Sequence, residues 1–129
     1  MGKKKVLNII TTAYRGTLEE QDDPIIWLTH AMKGAGADLD VLLRANAVNY
    51  AVRGQDAAGL AFGGRRQTQP PRIDEDVAKL IPKGVKVFLV EDDLRDRGLE
   101  RADLIPDVAG VTRSQLPMLF REYDQVWHW

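Results

Sequence analysis

The stretch Gly84-Val85-Lys86-Val87-Phe88-Leu89-Val90-Glu91-Asp92-Asp93 constrains the fold more than any other part of the chain. Val85, Val87, Phe88, Leu89 and Val90 form an almost unbroken apolar run, rich in β-branched residues, the pattern of a strand buried on both faces of a parallel sheet. The run stops at three consecutive acids, which cannot continue a buried strand. They are expected to emerge at its carboxyl end, where Asp92 or Asp93 caps a short helix ending near Gly98 and the helix dipole favours negative charge. Ligands of open α/β sheets bind at that same edge. A site is therefore sought there.

With 129 residues and no internal repeat or long linker, residues 1–129 are expected to form a single domain. Eighteen basic and nineteen acidic residues, spread along the chain, leave no nucleic-acid footprint, and Lys3-Lys4-Lys5 reads as a solvated end. No apolar stretch approaches the length of a membrane span and no signal-peptide pattern is present, so no membrane association and a cytoplasmic location are expected. The chain has no cysteine. That removes disulfides, thiolate nucleophiles and Cys-ligated metal.

Along the chain, Lys5 to Ile10 reads as a first strand, followed by the loop Thr11-Thr12-Ala13-Tyr14-Arg15-Gly16. Its hydroxyls and Arg15 can bind an anion; alternatively Thr11 and Thr12 finish the strand and Gly16 turns the chain. Asp23-Pro24 opens a helix, with Ile25, Leu28, Met32 and Ala35 at core-facing spacing and His30 off that stripe, as a surface residue. Asp38 to Leu43 is a second strand, and Arg44 to Val52 a short helical turn in which Arg44, Asn46 and Asn49 line the edge, or Asn46 simply caps the turn. Residues 53–72, rich in glycine and arginine, lack the Gly-Lys-Ser/Thr ending of a phosphate loop and read as a lid, an interface arm or a disordered loop. Pro71 to Ile81 restarts as an amphipathic helix with Ile73, Val77, Leu80 and Ile81 on one face.

Beyond the central strand, Asp107 to Val111 is a short strand, and Thr112 caps a last helix with Leu116, Leu119 and Phe120 inward. Asp124 to Trp129 alternates as a closing strand with Trp127 and Trp129 on one side. Those tryptophans are either exposed anchors for another subunit or packed under a helix of the same domain. The alternation of strands and helices predicts an α/β fold, a parallel-rich sheet with helices on both faces.

The acids at residues 91–93 admit more than one chemistry. Glu91 beside an apolar wall would have its pKa raised and serve as a proton-transfer group, with Arg97, Arg15 or Arg44 holding an anion; alternatively Glu91 and Asp92 cap the helix and Arg97 pairs with a nearby acid. Metal binding by Glu91, Asp92 and Asp93 is disfavoured, because neighbouring strand residues point to opposite faces. No cofactor is implied.

Val90-Glu91-Asp92-Asp93 looks locally like the acidic pair of a two-component receiver domain, but no strand-end Asp and Lys follow in the places a receiver needs, and the first strand ends in Thr-Thr. The order and spacing of Leu39 to Tyr50, Gly84-Val85-Lys86-Val87, Leu94 to Gly98 with Arg97-Gly98, Leu104-Ile105, Val108 to Val111 and Asp124-Gln125-Val126 instead resemble the DsrE/DsrF-like family, which includes TusD-type sulfur-relay subunits. The resemblance covers nearly the whole chain. It implies a three-layer α/β/α domain on a five-stranded parallel sheet that assembles into homo- or hetero-oligomers, often trimers or hexamers. In sulfur-carrying members a cysteine at the end of the central strand accepts a persulfide, and the corresponding position here is Val90. Valine has no lone pair with which to attack or carry sulfur. The expectation is an oligomeric binding or scaffold protein with a protein partner, not a persulfide carrier. The alternative is a small polar or anionic ligand, bound or turned over at the carboxyl edge through Thr11, Thr12, Tyr14, Arg15, Arg44, Asn46, Asn49, Glu91, Asp92 and Arg97.

Overall fold

A computed structural model describes residues 4–15, 21–55 and 57–129. Its centre is a five-stranded, wholly parallel sheet in the order β6-β5-β2-β1-β7, made of β1 (Lys5–Ile10), β2 (Asp38–Leu43), β5 (Val87–Val90), β6 (Ala109–Val111) and β7 (Gln125–His128). From β1 the chain adds β2, β5 and β6 in one direction, then returns to place β7 on the other side of β1. That reversal is the topological switch point, and by the rule for open sheets the crevice lies beyond the carboxyl ends of β1 and β7. It lies at the Thr11–Arg15 loop rather than at the end of β5.

The two faces of the sheet are covered unequally. Val6, Asn8 and Ile10 of β1, Leu39, Val41 and Leu43 of β2, and Val87 and Leu89 of β5 alternate onto one face. There the larger core gathers under α1 (Pro24–Gly34), a 3₁₀ segment (Ala45–Ala51), α2 (Ile73–Ala78) and α3 (Glu91–Asp96). On the opposite face Leu7, Ile9, Leu42 and Val90 form a second, smaller core under α4 (Leu116–Phe120). Among the described residues this five-residue helix is the one helix on that side.

Local chemistry explains where elements fall and where they depart from the sequence pattern. Asp23 caps α1 by accepting from the N–H groups of Ile25 (2.9 Å) and Ile26 (3.1 Å), with Pro24 at the first helical position. The inward stripe of α1 is Ile25, Ile26 and Thr29, whereas Leu28 and Met32 are half-buried and Ala35 is exposed. The cause is the buried Asn8 on β1: its side-chain amide donates to Thr29 Oγ1 (3.2 Å), which donates in turn to Ile25 O (2.7 Å), so the helix turns its hydroxyl to the sheet. His30 is half-buried rather than a free surface residue, placed between Asp76 O (2.8 Å) and Lys83 Nζ (2.8 Å), and so ties α1 to the segment after it.

The helix expected over 71–81 is shorter, Ile73–Ala78, and is followed by a 3₁₀ turn, Ile81–Lys83, that leaves Ile81 half-buried and hands over to Gly84 at φ 91°. Residues 61–66 hold a small hairpin, β3 (Ala61–Phe62) with β4 (Arg65–Arg66), across Gly63-Gly64. Neither Asp92 nor Asp93 caps α3; the cap position is Val90 without a side-chain bond, and the acids stand in the first turn. Thr112 does cap, reciprocally with Gln115, the 3₁₀ turn (Arg113–Gln115) that leads into α4, where Leu116 and Leu119 are buried and Phe120 half-buried. Trp127 on β7 and Trp129 just after it are both half-buried: Trp129 packs against the larger core and donates its indole N–H to Asn8 Oδ1 (3.3 Å), while Val126 faces outward.

Candidate functional site

At the switch point the loop after β1 is fastened from below. Thr11 donates its backbone N–H (3.0 Å) and its hydroxyl (2.9 Å) to Trp129 O, which extends the pairing of β1 with β7 and takes both groups away from a ligand. Thr12 is exposed, and Gly16 lies outside the described residues. Tyr14 sits at φ 60°, a left-handed conformation unusual for an aromatic residue. It is held there by a chain of polar contacts: Tyr14 N–H donates to Tyr50 Oη, and Tyr50 Oη donates to Asp23 Oδ2, each at 2.5 Å. Tyr50 and Asp23 are fully buried, and the two tyrosine rings meet edge to face at 5.3 Å. Burial, and then the hydrogen bond to Asp23, push the Tyr50 phenol well above its ordinary range. The Tyr14 phenol is also raised, by burial and then by the charge of Asp74; it donates to Gln55 Oε1 (2.5 Å). Asn49 turns inward to its own segment, with Nδ2 on Asn46 O (2.9 Å).

At the end of β5 the acids are engaged by partners far along the chain. Glu91 forms an ion pair with Arg101 (2.9 Å), laid across the backbone of Gly110, where an added Cβ would come within 2.0 Å of Glu91 Oε1. The apolar wall expected beside Glu91 is therefore a guanidinium. Asp92 accepts from the Arg113 N–H (2.8 Å), and that bond, more than the neighbouring arginines, holds its carboxyl below the usual range. Asp93, buried, accepts from the Ala45 N–H (2.8 Å) and from the Arg113 guanidinium (2.6 Å). Among the described residues Arg97 pairs with no acid; it forks onto Asn46 Oδ1 (3.1 and 2.8 Å) and reaches Asp93 O (3.0 Å). That fork also shows that Asn46 is not a side-chain cap. Glu91 is drawn to Arg101 while Asp92 and Asp93 share Arg113, and among the described residues no group of three His, Asp or Glu side chains converges as a metal site. Val90 has no exposed surface and lies in the smaller core with Leu7, Leu42, Leu116 and Leu119.

The structure thus brings Asn46, Arg97 and Asp93 together, links Asn46 through Asn49 and Gln55 to the Tyr14 hydroxyl, and leaves Arg44 and Arg15 at the carboxyl edge with no acid partner among the described residues. Sequence reasoning missed Tyr50, Arg101 and Arg113. Their partners lie ten to thirty-six residues away, so no local pattern announces them.

Neither a family model nor a curated protein matches the chain. Solved structures do. The chain has the fold of the Escherichia coli YchN protein. That likeness spans 99% of this chain and 100% of YchN at a TM-score of 0.71, with 21% sequence identity. Two proteins of unknown function are similar as well: MTH1491 of Methanobacterium thermoautotrophicum (TM-score 0.66, 14% identity, 97% and 99% of the two chains) and BT1422 of Bacteroides thetaiotaomicron (0.66, 11%, 98% and 95%). At such identities the YchN likeness carries architecture and no chemistry. No helix among the described residues is long and apolar enough to cross a membrane.

Proposed function

We propose that this chain is a cysteine-free relative of the DsrE/DsrF proteins that works as an oligomeric binding or scaffold module and not as a persulfide carrier. One observation carries this reading: at the end of β5 a fully buried valine stands where a nucleophile would be needed, and each acid beyond it already has a guanidinium or a backbone N–H as partner. A carbon side chain under a helix offers no atom to take up sulfur, and the carboxylate next to it is engaged by an arginine. Phe62 meanwhile stands 74% exposed, an aromatic side chain of the kind enriched at interfaces.

A second reading has its own support. Arg44 follows β2 and Arg15 follows β1, and neither guanidinium has an acid partner among the described residues, so a small anion could be held at this edge. Native and denaturing mass spectra of the purified protein separate the two. The scaffold reading expects a multiple of the 14.5 kDa subunit with no added mass, and no sulfur taken up from a persulfide donor. Extra mass lost on denaturation would favour the anion site, whereas a monomer, or covalent sulfur on the chain, would overturn the proposal.

A further inference from the structure

The hairpin of β3 and β4 stands as a two-stranded sheet apart from the main one. All six residues from Ala61 to Arg66 are exposed, and the isolated two-stranded unit is of a kind that is marginal in water by itself. At its tip Phe62 is 74% exposed, opposite Arg65 in the strand register and next to Arg66. An aromatic ring held out beside the arginine that shares its face is costly to leave in water and has the composition of an interface anchor. Gln21, just before α1, lines a hollow of about 260 Å³ together with hairpin residues, which places the hairpin at the carboxyl end of the sheet, where α1 begins.

The opposite end of the sheet carries a matching recess. β6 pairs with β5 only from Phe88 onward, so Val85, Lys86 and Val87 have no neighbouring strand on their outer side. A hollow of about 350 Å³ opens there, with Val85, Val87, Phe88 and Ala109 as apolar lining, the Lys86 stem as part of its wall and Asp107 at its rim. A cavity of about 150 Å³ already accepts a benzene ring, so this one has room for a phenyl side chain. We infer that Phe62 of one copy enters the β5–β6 hollow of a second copy, with Arg65, on the same face of the hairpin, meeting Asp107. Knob and recess lie at opposite ends of one sheet, so the chain cannot satisfy itself, and the contact between copies is head-to-tail. This rests on the oligomeric reading above and names its interface; the charge match and the fit of ring to hollow select a second copy as the occupant.

A complementation experiment tests it. Phe62→Ser removes the knob and Ala109→Arg fills the recess; both positions are exposed, and a cooperative melt checks that each variant folds. Sedimentation equilibrium should show a larger species for the wild type, association weakened at least about tenfold in each variant, and a heterodimer when the two are mixed, because the mixture keeps one intact knob and one intact recess. Asp107→Asn, which leaves the shape alone, should weaken association by roughly severalfold. If Ala109→Arg fails to fold, Asp107→Asn and Phe62→Ser together still decide the matter. A wild-type oligomer unaffected by Phe62→Ser, or a mixture no larger than its components, overturns this interface while leaving an oligomer standing. A wild type that sediments as a monomer overturns both.

Discussion

Tyr50 does more for the candidate site than any residue that faces solvent. Its hydroxyl accepts the Tyr14 N–H and donates to Asp23, so one buried oxygen joins the loop after β1, the 3₁₀ segment and the start of α1. Tyr50→Phe leaves the Asp23 oxygen and the Tyr14 N–H without that partner, and a buried group stripped of a partner typically costs about 1–3 kcal/mol. Urea denaturation at neutral pH should show a loss in that range. The pH dependence follows from the raised phenol. In the unfolded chain a tyrosine titrates near ~10; folded, Tyr50 keeps its proton to higher pH. The stabilisation is complete below about pH 10 and is lost as the pH rises toward the folded value, by up to about 1.4 kcal/mol per pH unit for this group. Tyr50→Phe should show a shallower alkaline decline than the wild type. An equal slope would mean that Tyr50 ionises as freely in the fold as in the unfolded chain.

α4 is short but indispensable, because Leu116 and Leu119 close the core that Leu7, Ile9, Leu42 and Val90 begin. Five residues bring little helix stability of their own, so the element holds by its reciprocal Thr112–Gln115 cap and by this packing. Leu116→Ala should cost about 2–5 kcal/mol, the range for truncating a buried leucine, whereas Met118→Ala on the outer side of the same helix should stay within about 0.5 kcal/mol; thermal melts compare the two. Elements of this sort were legible in the sequence where a local signal existed. Asp23-Pro24 marked the start of α1, and Asp38 to Leu43 is a strand as the pattern required. The inward stripe of α1 was not legible, because it is set by Asn8 on another element, and a polar residue on a buried strand has no periodicity to reveal it. The acids after β5 misled for a related reason: their charge matched a helix cap or a catalytic base, but their partners Arg101 and Arg113 become neighbours only when β6 and α4 are in place.

Taken as a whole, the molecule is a sheet whose two ends differ from its middle. The middle was readable, since parallel strands buried on both sides leave apolar runs; the ends depend on which strand the chain returns to, and that return is made by β7. Its hold on the sheet runs through the last residue: Trp129 accepts from Thr11 N–H and Oγ1, donates its own N–H to Ile9 O (2.9 Å), and sets its indole against Asn8. Removing Trp127 to Trp129 therefore cuts the anchor of the switch-point loop as well as two half-buried rings. If the tryptophans were docking anchors, the shortened chain would keep its stability and lose assembly. With Trp129 seated as it is, the reverse is expected: denaturation should show a loss of at least about 3 kcal/mol, in line with truncation of large packed aromatics, while the folded fraction keeps the subunit count of the full chain. A shortened protein of unchanged stability that sediments as a smaller species would return the C-terminal strand to the interface and take the burden of assembly away from Phe62.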